Sequence, residues 1–179
     1  MGLLAAIMLA VYLANPFGTA SLDPRARLLG VALYKIPSRS MEPTLQQGDF
    51  ILANAARYAF AHPQVGDLVV FRFPPQRSIA YVKRIAGIPG DRVRIDGGRL
   101  YVNERPVTEP YLAQQALRQP DSLRMAERTV PAGQYFMLGD NRDNSNDSRY
   151  WGYVPRADLV GRVFAVWYAE DTRRIGSVR

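Results

Sequence analysis

The stretch RVRIDGGRLYVNERPV, residues 92–107, is the strongest constraint on how this chain folds. Two β-forming runs flank Asp96-Gly97-Gly98, and glycines placed between such runs accept the positive φ angles that a tight hairpin turn demands. Comparable runs recur along the chain: DFILANAA, DLVVFRF, IAYVKRIAGI, GQYFMLGD and LVGRVFAVWY, each bounded by Gly-Asp or proline punctuation, while LLGVALYKIP ends at a proline. Short strands with turns every 8 to 12 residues or so are the pattern of sandwiches and barrels. The expectation is a mainly β fold. Residues 109–127, EPYLAQQALRQPDSLRMAE, break the pattern and read as irregular with some helix.

At 179 residues the chain fits one domain, or one domain with a small insertion. Residues 1–22 carry no charge, yet Asn15 and Pro16 interrupt the run, which is marginal against the roughly 20 apolar residues of a spanning helix. A short membrane anchor is favoured over the tail end of a longer transmembrane segment and over a cleaved leader, for which Gly18-x-Ala20 offers a small-x-small site without a basic stretch before it. Of the 23 lysines and arginines only Lys35 and Lys83 are lysines, and the basic residues are scattered. A net charge of +7 without a basic stripe does not make a nucleic-acid surface and suits an anionic membrane equally well.

Nucleophilic chemistry narrows quickly. There is no cysteine, hence no thiol nucleophile and no cysteine metal site, and the single His62 lies beside Pro63 in a loop, too few for a histidine metal centre. In KIPSRSMEPTLQQGDF, residues 35–50, Ser38 and Ser40 flank one arginine. They are either turn residues or a nucleophile with a base other than histidine. Lys83 shares a strand face with Tyr81 and Ile85. On a buried face its neutral form is favoured and it can take a serine proton; on an edge strand it faces water. Both placements fit the pattern. Lys35 is the poorer base, since an extended chain to Ser40 sets the two on opposite faces. In GDNRDNSNDSRYWG, residues 139–152, an EF-hand register starting at Asp143 would put Ser148 where glycine belongs and Val154 where glutamate belongs, so this is a hydrogen-bonded polar turn in which Asp147 pairs with an arginine.

Three of these segments, SRSMEPTL (38–45), VKRIAGIPGD (82–91) and GDNRDNSNDSRYWGYV (139–154), resemble in order and spacing the signature boxes of the bacterial type I signal peptidases, and GDLVVF (66–71) resembles a fourth. The resemblance implies antiparallel coiled sheets in a partly open barrel-like domain with a short N-terminal apolar helix. Residues 1–22 would be the anchor and 30–179 the catalytic domain, with 92–134 a small β-rich insertion like that of the family's compact members. It implies Ser40 as nucleophile and Lys83 as general base, with Ser38 joining the Ser40 N–H in an oxyanion hole, where a donor is worth about 3 to 4 kcal/mol. Ser145 would orient the lysine, and Asp147, Arg149 and Arg84 would form a supporting salt-bridge cluster. Ile36, Pro37, Met41, Leu45, Tyr81 and Val82 match or adjoin the walls of pockets that admit small side chains.

The implied activity is removal of signal peptides from exported preproteins after Ala-x-Ala. It needs no cofactor and no metal. The partners would be preproteins and membrane lipid, with no nucleic acid, and the place the extracytoplasmic side of the bacterial membrane. Three alternatives are a pilus-type processing peptidase, an inactive membrane scaffold of the same fold, and a self-cleaving repressor; the last should carry a helix-turn-helix where this chain has an apolar run.

Overall fold

The computed structural model describes residues 2–112 and 117–178. The chain opens with helix α1 (Gly2–Ala14), none of whose residues is buried. Among the described residues no helix is long and apolar enough to cross a membrane. The short helix α2 (Pro24–Leu29) follows, started by the Asp23 carboxylate accepting from the Arg25 N–H and ended by Gly30 in the left-handed region.

Strands then dominate, as expected. The large sheet is built from β1 (Val31–Lys35), β2 (Phe50–Asn54), β3 (Leu68–Arg72) and β4 (Ala80–Gly87). The small sheet intervenes with β5 (Arg92–Asp96), β6 (Arg99–Val102), β7 (Arg105–Pro106) and β8 (Arg124–Thr129). The chain returns to the large sheet with β9 (Gln134–Leu138), β10 (Val154–Pro155), β11 (Leu159–Tyr168) and β12 (Gly176–Ser177). The order in the large sheet is β1-β2-β11-β3-β4-β9-β10 with β12 on β11, and in the small sheet β7-β6-β5-β8. Every pairing is antiparallel.

The DGG hairpin forms in the anticipated place. Asp96 pairs with Arg99 across Gly97 and Gly98, whose φ angles are +57° and +78°. A side chain at either position would strain this turn. In the irregular region, residues 110–112 and 120–123 form single helical turns and Arg124–Glu127 belong to β8. The expectation for residues 113–116 lies outside the described residues.

Three apolar clusters fill the interior. One lies under β1, β2 and β11, with Met41 and Leu45 among its members. A second packs Val69, Phe71, Ile85 and Met137 between β3, β4 and β9. The third joins the sheets, Val93, Ile95 and Leu100 meeting Phe136 and Leu138. From Lys83 onward the β4 strand, where the first two clusters adjoin, is therefore buried on both faces, which restricts the side chains it carries there.

Candidate active site

Lys83 lies in β4, paired opposite Val69 of β3. Its side chain follows Tyr81 and Ile85 inward, its Nζ 5.3 Å from the Tyr81 ring centre, and the residue is only 4% exposed. Of the two placements that the sequence allowed, the structure takes the buried one. Burial is the main cause that pushes the amine from its ordinary 10.5 down to about 8; the Asp147 and Asp140 carboxylates oppose that shift and the Arg149 charge adds to it.

Ser40 reaches the amine from a loop between β1 and β2. Backbone bonds from Ile36 N–H to Asp49 O and from Gly48 N–H to Ile36 O, each 2.8 Å, close the loop at its neck. Met41 and Leu45 sink into the core and pin it from below. Lys83 Nζ then lies 2.7 Å from Ser40 Oγ and donates a second bond to the Val82 carbonyl at 3.2 Å. The Ser38 and Ser40 hydroxyls are 3.2 Å apart. A charged ammonium donates to Ser40 Oγ; a neutral amine accepts the hydroxyl hydrogen across the same short gap. His62 is exposed in its loop, and Lys35, exposed at the end of β1, turns its amine over the Phe50 ring.

The third wall is Asp143–Asn146, held by the residues on either side of it. The Asp147 carboxylate accepts the Arg149 guanidinium with both oxygens, at 2.8 and 2.9 Å, and the N–H groups of Gly139 and Arg149 besides. Arg84 does not join this pair. It faces the other way along β4 and forks onto Asp140, at 2.8 and 2.6 Å, beside Thr44, which also donates to Asp140 at 2.6 Å. The anticipated single cluster is thus two separate buried ion pairs, because adjacent residues of a strand point to opposite faces. Asp140 and Thr44 went unassigned at the sequence level, although both lie in the quoted boxes. Asn141 donates its N–H to the Ser40 carbonyl at 3.1 Å and so ties this wall to the serine loop. Gly139 allows the closest approach of all: a Cβ there would fall 2.1 Å from Ser145 Oγ and 2.6 Å from the Ser40 carbonyl.

Two further expectations need revision. Ser145 reaches the same cleft and is buried, yet its hydroxyl has no hydrogen-bond partner among the described residues, so it does not hold the lysine here. Leu45 is fully buried in the core and is not part of the cleft wall. The other suggested wall residues, Ile36, Pro37, Met41, Tyr81 and Val82, do line a cleft of about 740 Å³ that contains Ser38, Ser40 and Lys83. Tyr34, Val70 and Ile79 extend its apolar side, and Tyr150 stands at its rim. No group of histidine, cysteine, aspartate and glutamate that could hold a metal is found among the described residues.

The chain as a whole has known relatives. A family model for signal peptidase, peptidase S26, aligns with residues 3–168. This chain belongs to that family. It is 42% identical to the signal peptidase I of Pseudomonas aeruginosa over 75% of this chain and 63% of that protein. To the signal peptidase I of Leptolyngbya laminosa it is 39% identical, over 79% of this chain and 71% of the relative. A solved signal peptidase I from Enterococcus faecalis superposes with a TM-score of 0.52 at 33% identity, covering 57% of this chain and 97% of that one. The chain thus spans less than two thirds of the length of the Pseudomonas member of the family.

Proposed function

We propose that this chain is a serine endopeptidase that removes N-terminal signal peptides from exported preproteins after small residues, with Ser40 as nucleophile and Lys83 as general base. The observation that carries this reading is the 2.7 Å contact between Ser40 Oγ and an amine that is 4% exposed, at the floor of an apolar cleft. Membership of the signal peptidase family supports the substrate class.

The chemistry follows from the positions. Neutral Lys83 takes the Ser40 proton as Oγ attacks the scissile carbonyl carbon, and the carbonyl π electrons move to oxygen. The Ser38 hydroxyl, 3.2 Å from Ser40 Oγ, and the Ser40 N–H donate to that oxyanion. Collapse expels the new amine, which leaves with the proton now on Lys83, and an acyl ester remains on Ser40. Water attacks the ester, again giving its proton to Lys83, and Ser40 leaves as the hydroxyl. Ser145 lines the same cleft, its hydroxyl buried without a partner among the described residues. Asp147 with Arg149, and Arg84 with Asp140, hold the walls.

Recognition uses backbone. β9 pairs with β4 only from Arg84 onward, so on that side residues Ala80–Lys83 have no strand partner among the described residues. An extended substrate fills this gap beside the chain leading to Ser38, and its alternate side chains point into the pocket of Ile36, Met41, Tyr81 and Val82. In this reading residues 30–179 are the catalytic domain with 92–134 as an inserted sheet, and residues 1–22 lie against membrane lipid. The site faces the extracytoplasmic side, where signal peptides emerge. Helix α1, 13 residues long, reaches about 20 Å, short of the roughly 30 Å hydrocarbon layer.

The test is cleavage of a preprotein with an Ala-x-Ala site in detergent or lipid, wild type beside Ser40→Ala. Cut product from wild type alone supports the reading. Folded wild-type protein that leaves the preprotein whole would refute it.

A further inference from the structure

The family match ends at residue 168, but the chain continues and folds back on the site. Asp171 caps a turn at Thr172–Arg174, β12 pairs with β11 through Ala165↔Ser177 and Val166↔Gly176, and the Val178 N–H donates to the Phe164 carbonyl at 3.0 Å. Val178 also packs against the core under β1 and β2. Between these fastenings Arg174 turns toward the serine loop. Its Nη1 donates to the Pro43 carbonyl at 3.2 Å, and its Nη2 donates to the Thr44 carbonyl at 3.2 Å and to Asp49 Oδ2 at 2.7 Å. Asp49, 3% exposed, accepts the Gln46 N–H with the same oxygen. The Arg174 Nε is buried without an acceptor among the described residues, so the fork is committed to the loop through its two terminal nitrogens.

The nucleophile loop therefore has two grips. Asp140 and Asn141 hold it from the side of the cleft, through Thr44 and the Ser40 carbonyl. Arg174 holds the opposite flank, where two loop carbonyls and one carboxylate converge on one planar cation. A guanidinium meets three such acceptors in a fixed geometry, which an ammonium on a flexible stem does not. We propose that Arg174 is a positioning residue for the reaction: through Pro43, Thr44 and Asp49 it sets where Ser40 stands relative to Lys83. The proposal rests on the reading of Ser40 as nucleophile.

The experiment compares cleavage by the full chain, wild type, Arg174→Ala, Arg174→Lys and Arg173→Ala, as kcat and KM from pH 6 to 10. Arg173 pairs with Asp171 on the exposed side of the same turn and serves as control. A displacement near 1 Å at a reacting atom costs up to about a hundredfold. We expect kcat of Arg174→Ala to fall about tenfold with KM within about twofold, Arg174→Lys to recover part of the loss, and Arg173→Ala to match wild type. The pH profile separates placement from partial unfolding, because a smaller folded fraction lowers the curve without moving it. Among the described residues the groups that act on Nζ are the Ser40 hydroxyl, the Val82 carbonyl, the Tyr81 ring, the Asp140 and Asp147 carboxylates and Arg149. Of these only Ser40 belongs to the loop that Arg174 holds. A loosened loop admits water to the amine, so the ascending limb of Arg174→Ala shifts to higher pH, by about half a unit or more. An unshifted limb, whether turnover is lowered or wild-type, or a loss equalled by Arg173→Ala, overturns the proposal while leaving the peptidase reading intact. Wild type that cuts nothing overturns both.

Discussion

In the large sheet the ionic groups around the site lie inside; in the small sheet they lie outside. Lys83, Arg84, Asp140, Asp147 and Arg149 are each buried and bonded at several points. The small sheet instead keeps Val93, Ile95, Leu100 and Met125 in its interior and pairs Arg92 with Glu104 and Arg94 with Asp96 at its surface, side chains 47% and 69% exposed in the first pair. Surface pairs of that kind contribute about 0 to 1 kcal/mol. Buried pairs recover little net stability over an apolar replacement, but losing one partner costs about 3 to 5 kcal/mol. The contrast separates two uses of charge. The small sheet keeps most of its charge at the surface, Glu109 excepted, which meets the buried Arg142, while the large sheet holds its ions inside, around the lysine and the serine.

Substitutions break the contrast in a graded way. Ser40→Ala should abolish cleavage, a loss of about 10⁴-fold or more, with the melting temperature unchanged. Lys83→Met should lose as much and yet gain stability. The folded chain holds this amine at about 8 against an ordinary 10.5, so it disfavours the charged form. Below about pH 8 both states are protonated and the penalty is full. Between about 8 and 10.5 the unfolded chain binds more protons, stability climbs with pH, and the penalty fades. Denaturant titration should therefore show Lys83→Met more stable by about 2 to 3 kcal/mol at pH 7, with the gain shrinking through that window. Wild-type turnover should climb with pH toward a midpoint near 8, as the amine loses its proton. An activity limb near 6.5 that disappears in His62→Ala would falsify this assignment of the base.

Asp147→Asn leaves the Arg149 guanidinium inside without its carboxylate, and unfolding titrations should show a loss of about 3 to 5 kcal/mol together with reduced cleavage. Arg92→Ala, at the other end of the scale, should move stability by less than about 0.5 kcal/mol and leave turnover alone. A large effect there would dissolve the distinction between the two sheets.

Much of this was legible in the residues. The DGG turn and the alternating runs announced the hairpin and the strands, since local sterics decide both. Tyr81, Lys83 and Ile85 announced one shared face, but not whether it was covered, because burial depends on β3, β9 and the serine loop lying across it. Pairing was the least legible feature. Arg84 was grouped with Asp147 and turned to Asp140, and Leu45 was placed in the cleft and lies in the core. Which partner a buried charge meets, and which way a loop side chain points, are set by tertiary packing that no local pattern encodes. Arg174, far along the chain from the serine box and outside every quoted motif, gave no local signal at all.

The stretch of β4 at Ala80–Lys83, paired with β3 on one side and with no strand on the other among the described residues, carries one more consequence. A site that reads its target by completing a ladder admits only chain that is itself out of any ladder or helix. In the proposed reaction, a peptide bond inside a folded protein is refused whatever its sequence, since its N–H and C=O groups are already engaged. Discrimination between a leader and the body it precedes is then partly a matter of timing: the bond is open to cutting while its surroundings are still unfolded, and it closes as the exported protein takes shape.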